Sequence, residues 1–236
     1  MAVQYINTKS YDELSDQAAR KIFKQVQDKP DSLLCLAGGD TPIGTYERMV
    51  EAAKSGKIDF SQCRFLGLDE WVGLGEENPG SCLSYLNRHL FEPLGIKKEQ
   101  IVFFDAKAED LTAELTRINE FVRMNGPIDL SLLGVGVNGH LGFNEPYSSL
   151  ESEAHIVDLD ETTQEVGKKY FNGGSTTSKG ISLGLKQLLE SKTVIVIANG
   201  PTKVEAIDAL KIGKYDPSKP VTAINHHSNG YAILNI

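Results

Sequence analysis

Short apolar runs that alternate with helical patterns constrain this chain more than any other feature. Residues 33–37, 64–68, 129–133, 194–198 and 231–236 read as strands, too short for helices and rich in Leu, Ile and Val. Between them lie amphipathic segments. Leu14, Ala18, Ile22 and Val26 recur on one helical face behind a capping-box signature at Ser10 and Glu13. A second helix is expected from Pro42 to about Ala53, and Leu111, Leu115, Ile118 and Val122 mark a third. Gly200-Pro201 opens a fourth, carrying Val204, Ile207 and Leu210. Repeated strand–helix units imply an α/β, Rossmann-like fold, a mostly parallel sheet with helices on both faces. No Pro/Ser-rich stretch, charge block or low-complexity segment divides the 236 residues, so residues 1–236 are expected to form a single domain.

In such a sheet the chemistry belongs to the loops leaving the carboxyl ends of the strands. The loop after the fourth strand-like run's predecessor, residues 134–146, reads Gly-Val-Gly-Val-Asn-Gly-His-Leu-Gly-Phe-Asn-Glu-Pro and is the most informative segment of the chain. Its glycines allow tight turns and close approach of a ligand, more of them than a mere turn needs. Among them stand one imidazole, His140, and one carboxylate, Glu145. His140 suits proton transfer near neutral pH, with Glu145 holding its tautomer and favouring the imidazolium. Asn138 lies close enough in sequence to orient the ring or a substrate hydroxyl. The remaining histidines lack such a setting: His89 reads as a helix-surface residue, and His155, His226 and His227 as loop or strand-edge residues.

Two other loops share this edge. In Gly38-Gly39-Asp40-Thr41-Pro42, Thr41 is placed to cap the next helix and Pro42 to occupy its first turn. The glycines leave amides free to face an anion at the helix N-terminus, or simply make the turn; spacing alone does not choose. After residues 64–68 come Asp69 and Glu70. Alternation along a strand sends one of them to the cleft, where partial desolvation would raise a carboxyl toward the range of a general base; the other reading is a solvated acidic pair. Lys203 falls in the first turn of a helix, a position the helix dipole disfavours for a cation unless an anion sits between them, or unless it is a solvated surface lysine. Lys168 and Lys169 form another small basic cluster suited to the same anion.

The formal net charge of −8 and scattered basic residues argue against nucleic acid or an anionic membrane as partner. Cys35, Cys63 and Cys82 fit neither a disulfide framework nor a zinc pattern, and point to reduced thiols in the cytoplasm. No signal-peptide pattern and no run of membrane-spanning length is evident.

Taken in order, Gly38–Pro42, Leu68-Asp69-Glu70-Trp71-Val72-Gly73-Leu74 and residues 134–146 resemble the glucosamine-6-phosphate deaminase (isomerase) family, related to 6-phosphogluconolactonase. The resemblance runs from about Leu33 to Leu210, and residues 139–146 are its most specific part. The lactonases share the pattern as far as the histidine but lack Phe143-Asn144-Glu145-Pro146. The resemblance implies a sugar-isomerase type of sheet, a sugar phosphate as the small-molecule substrate, and no metal or organic cofactor. It assigns Asp69 as the base moving the C2 proton to C1, and His140 to ring opening with Glu145 and Asn138 as partners. Gly38, Gly39, Asp40, Thr41, Glu70, Lys169 and Lys203 would bind substrate, the loop and the lysines holding its 6-phosphate. Glucosamine 6-phosphate is the first expected substrate, galactosamine 6-phosphate a rival, a phosphogluconolactone a lesser alternative and a non-catalytic sugar-phosphate sensor the bland one.

Departures from the family pattern matter too. Asn138 stands where many members carry Asp, so charge support for His140 falls to Glu145. Lys169 replaces a frequent Arg, exchanging a bidentate grip for a point charge. Asp40 stands where Gly, Ser or Thr is usual, so its carboxylate is expected to point away from the phosphate, capping backbone groups, unless the substrate differs. Residues 222–229 replace a Leu-Gln-Leu-His-like stretch. With the chain stopping at Ile236, no allosteric activation by an aminosugar phosphate is expected.

Overall fold

A computed structural model describes residues 3–171 and 178–236. Its centre is a seven-stranded, wholly parallel sheet in the order β1-β10-β9-β6-β2-β3-β5. The strands are β1 (Gln4–Asn7), β2 (Leu33–Leu36), β3 (Arg64–Gly67), β5 (Ile101–Val102), β6 (Leu130–Gly134), β9 (Val194–Asn199) and β10 (Gly230–Asn235). The longer helices are α1 (Tyr11–Asp28), α2 (Ile43–Lys54), α5 (Leu111–Asn125) and α8 (Val204–Lys211). Shorter ones are α3 (Cys82–Leu86), α4 (Glu92–Leu94), α6 (Glu161–Gly167) and α7 (Leu185–Leu189). A second, three-stranded antiparallel sheet, β4 (Asp69–Trp71), β8 (Lys179–Ser182) and β7 (His155–Asp158), stands over one end of the first.

The period of two along a strand sorts the core. Leu34, Leu36, Leu130, Leu132, Ile195 and Ile197 face one side, where Leu14, Ala18, Ile22 and Val26 of α1 and Tyr46 and Met49 of α2 cover them. Leu33, Cys35, Leu133, Val194, Val196 and Ala198 face the other, under Ile118 of α5 and Ala206, Ile207 and Leu210 of α8. Strands buried on both faces need continuous apolar runs, which is why these were readable. At the start of α1 the Ser10 hydroxyl accepts the Glu13 N–H at 3.1 Å, while the Glu13 carboxylate accepts from Lys9.

The chain runs outward from β2 through β3 to β5, then returns to place β6 on the opposite side of β2. The connections leaving β2 and β6 therefore diverge, which opens a crevice at the carboxyl ends of the strands. Among the described residues no helix is long and apolar enough to cross a membrane, and no His, Cys, Asp and Glu cluster could hold a metal ion.

Candidate active site

The crevice is a cleft of about 770 Å³. It brings together Asp69, Asn138, His140, Gly38, Gly39, Asp40, Thr41, Lys169 and Lys203 from segments up to 165 residues apart in the chain.

Asp69 opens β4, where the chain leaves the main sheet after Gly67 and pairs with β8 (Asp69 opposite Ser182). The carboxyl is 9% exposed and forms no ion pair among the described residues, so burial pushes it up to about 7, helped by the neighbouring Glu70, with the His140 imidazole and the Cys82 thiol pulling the other way. Strand alternation turns Glu70 the opposite way. Sequence reasoning put Glu70 in the substrate-binding set; it is fully buried outside the cleft. Its carboxylate accepts the amides of Trp71 (2.8 Å), Cys82 (2.9 Å) and Leu83 (3.0 Å), closing the N-terminus of α3. Of the adjacent acids, one anchors a helix and one faces the cleft.

His140 is positioned from behind. Its Nδ1 lies 3.1 Å from the Thr163 hydroxyl and 3.4 Å from Glu145 Oε2, leaving Nε2 without a partner among the described residues. The Asn138 amide donates to the same Glu145 oxygen at 2.7 Å, and its carbonyl accepts the His140 N–H at 3.2 Å. Asn138 thus holds the carboxylate and the backbone rather than the ring. An aspartate there would offer no donor and would set two carboxylates face to face. Burial pushes Glu145 upward, but the bonds from His140, Thr163 and Asn138 outweigh it and keep the carboxyl below its usual range. Gly136 makes the ring's position feasible: a Cβ there would lie 2.3 Å from His140 Cδ2. Phe143 packs edge-on against Trp71, ring centroids 4.7 Å apart, and Asn144 donates to the carbonyls of Leu141 and Leu183, both at 2.8 Å. The segment after the histidine is therefore the frame that fixes the imidazole against the β4 strand.

The far end of the cleft is cationic. Among the described residues the N–H groups of Gly38, Gly39, Asp40 and Thr41 have no acceptor within the protein. Gly39 has φ +93°, which favours glycine, and a Cβ would also come within 3.3 Å of the Tyr170 hydroxyl. Thr41 does not cap α2, and Pro42 precedes the helix as its N-cap instead of filling the first turn. Thr41 is one residue too early for its side chain to reach the first free amides. The Tyr11 hydroxyl does this work, accepting the Gly44 N–H at 2.8 Å and donating to the Thr41 carbonyl at 3.0 Å. Lys203 ends the 3-10 turn Pro201–Lys203 that leads into α8; it has no counter-ion among the described residues, and burial together with Lys169 lowers its pKa. Lys169 is paired: its ammonium lies 2.5 Å from Asp40 Oδ2. Asp40 was expected to turn away and cap backbone groups. It stays in the cleft, because the nearest available donors are Lys169 and the Tyr85 hydroxyl, 3.4 Å from Oδ1.

Sequence reasoning missed Thr163, Tyr11, Tyr85 and Tyr170, which reach the cleft from helices whose patterns carry no local sign of it. His227 lies in the loop before β10, as expected, but it is buried, its Nε2 2.6 Å from the Ser191 carbonyl and its Nδ1 accepting the Asn229 N–H at 3.0 Å. His89 is half-buried in the π-helical turn Asn87–Phe91, its ring tilted against Tyr85 with centroids 4.5 Å apart.

The profile of the family described as glucosamine-6-phosphate isomerases/6-phosphogluconolactonase matches residues 7–233. A protein of Clostridium botulinum (strain Hall) named glucosamine-6-phosphate deaminase is 39% identical over 227 residues, covering 96% of this chain and 93% of its own. A namesake from Thermoanaerobacter sp. (strain X514) is 36% identical, covering 99% and 92%. Among solved structures, a monomeric glucosamine-6-phosphate deaminase superposes with a TM-score of 0.96 at 33% identity, over 99% of this chain and 97% of that one. The 6-phosphogluconolactonase of Trypanosoma brucei shares the fold, with a TM-score of 0.80 at 18% identity over 99% and 96%.

Proposed function

We propose, from the premise that the chain belongs to the glucosamine-6-phosphate isomerase/6-phosphogluconolactonase family, that it is a cytoplasmic deaminase. Its reaction converts a 2-amino-2-deoxyhexose 6-phosphate, glucosamine 6-phosphate first, and water into the ketose 6-phosphate and ammonia. The observation that carries this reading is the meeting of Asp69 and His140 in one cleft whose other end holds Lys169, Lys203 and unpaired amides.

The chemistry follows from the residue types. With the phosphate held at the cationic end, His140 Nε2 faces the sugar ring and carries a proton to the ring oxygen as the ring opens. Glu145 and Thr163 fix the tautomer from the Nδ1 side. Asp69 then removes the C2 proton and returns it to C1. This turns the C2–N bond into an iminium that water hydrolyses to the ketone, releasing ammonia. A carboxyl raised to about 7 is matched to taking up and returning a proton at neutral pH. Phe143, Asn144 and Glu145 support this reading over a lactonase, since together they frame the histidine as a proton carrier.

The test is to incubate the purified protein with glucosamine 6-phosphate, galactosamine 6-phosphate and 6-phosphogluconolactone in parallel, measuring ammonia, ketose phosphate and acid release. Ammonia and ketose phosphate in equal amounts from the glucosamine compound are expected. Turnover of galactosamine 6-phosphate alone would correct the epimer, and turnover of neither aminosugar would reject the assignment.

A further inference from the structure

We propose that Asp40 is a resident competitor of the substrate's phosphate: its carboxylate pairs with Lys169 in the cleft and lowers the affinity of the site for every phosphate monoester. The inference rests on the reading of the cleft's cationic end as the phosphate site.

Among the described residues the positively charged side chains lining this end are Lys169 and Lys203, and Asp40, on the loop after β2, is the negatively charged one. The carboxylate engages two donors that an incoming anion would use: the Lys169 ammonium at 2.5 Å and, more loosely, the Tyr85 hydroxyl at 3.4 Å. Both side chains of the ion pair are about half exposed, 49% for Lys169 and 59% for Asp40, so the pair can open without unpacking the core. The Asp40 N–H, by contrast, belongs with those of Gly38, Gly39 and Thr41 to a run of amides that have no acceptor among the described residues. One residue therefore offers an anion a backbone donor and opposes it with its side chain.

A phosphate monoester carries a charge of about −1.5 to −2 at neutral pH. On entering, it must either displace Asp40 from Lys169 or bind beside the carboxylate, and both routes cost affinity. Serine or asparagine at position 40 would leave the amide in place and release both donors. The cost falls equally on inorganic phosphate and on the substrate. A ligand that also contacts Asp69 and His140 starts from a higher affinity and remains bound, whereas a bare phosphate ion does not.

The experiment is a calorimetric titration of inorganic phosphate into the parent chain, Asp40→Asn and Asp40→Ser at one fixed salt concentration. Both variants are expected to bind about fivefold more tightly, the scale of a half-exposed ion pair. In a Lys169→Ala background the gain from Asp40→Asn should shrink, because the partner has gone. Equal affinity, weaker binding in the variants, or no measurable binding by any of the proteins would overturn the proposal; weaker binding would make Asp40 an orienting partner of Lys169. A steady-state arm with the aminosugar phosphate should show a lower KM for Asp40→Asn. Absence of turnover by the parent would reject the proposed reaction while leaving the phosphate titration to decide on Asp40.

Discussion

Asp69 and Asp129 are buried at opposite ends of the same parallel sheet, and the protein holds them in opposite ways. Asp129, 2% exposed at the entry to β6, accepts the ammonium groups of Lys29 and Lys192 and the Leu33 N–H, each at 2.8 Å. Burial pushes its carboxyl upward, but these bonds outweigh it and the group lies below its usual range. Asp69, 9% exposed at the exit from β3, forms no ion pair among the described residues and is pushed up to about 7. Burial raises both carboxyls, and at Asp129 the hydrogen bonds from Lys192, Lys29 and Leu33 reverse the shift. Asp129 at the entry to the strands has its charge satisfied and is structural; Asp69 at their exit keeps a charge that no ion pair among the described residues neutralises, and a reactive group needs that.

The largest effect expected from this contrast is that of Asp69→Asn. Turnover should fall by about 10²–10⁴, the usual share of a general base. Stability should move the other way. The folded carboxyl titrates near 7 and the unfolded one near 3.8, so between these values the folded state binds more protons and loses stability as pH rises. Asparagine removes that loss. Urea unfolding should find the variant more stable than the parent by a few kcal/mol at pH 8, with the advantage vanishing toward pH 4. Equal stability at pH 8 would break the comparison.

Asp129→Asn should show the mirror image: intact turnover and a loss of about 1–3 kcal/mol at pH 7. The folded carboxyl is depressed, so its contribution is present above pH 3.8 and lost as pH falls through the folded value. The deficit of the variant should therefore shrink in acid. A loss of turnover at unchanged stability would place Asp129 in the chemistry and undo the distinction.

Lys203 extends the contrast to cations, since it is the half-buried charge at the exit from the strands that lacks a counter-ion among the described residues. Lys203→Ala should raise KM about tenfold while changing kcat by less than about twofold, because phosphate binding is shared by ground and transition states. An unchanged KM would make Lys203 a solvated surface residue.

The same physics explains what the sequence disclosed. Strands buried on both faces, such as β6 and β9, announce themselves as apolar runs. The edge strand β1, Gln4–Asn7, faces water along most of its length and shows no such run. The small sheet of β4, β7 and β8 escaped notice because its three- and four-residue strands carry Asp69, Glu70, His155, Asp158, Lys179 and Ser182 where an apolar run would announce a strand. In the site, His140, Glu145 and Asn138 were legible because they lie within eight residues of one another on a single glycine-rich loop. Thr163 touches the same imidazole from 23 residues away, on a helix whose spacing gives no hint of it. Alternation correctly separated Asp69 from Glu70, but which of them met the cleft depended on α3 offering its free amides to Glu70.

The account depends on Asp69 being buried without a neutralising partner beside His140. The most direct measurement is a 13C NMR titration of the aspartate carboxyls in the intact protein, with the Asp69 signal assigned by its absence in Asp69→Asn. The account predicts a carboxyl titrating near pH 7 that disappears in the variant. An Asp69 signal fully titrated by about pH 5 would contradict it, since such a group would be an ordinary solvated acid.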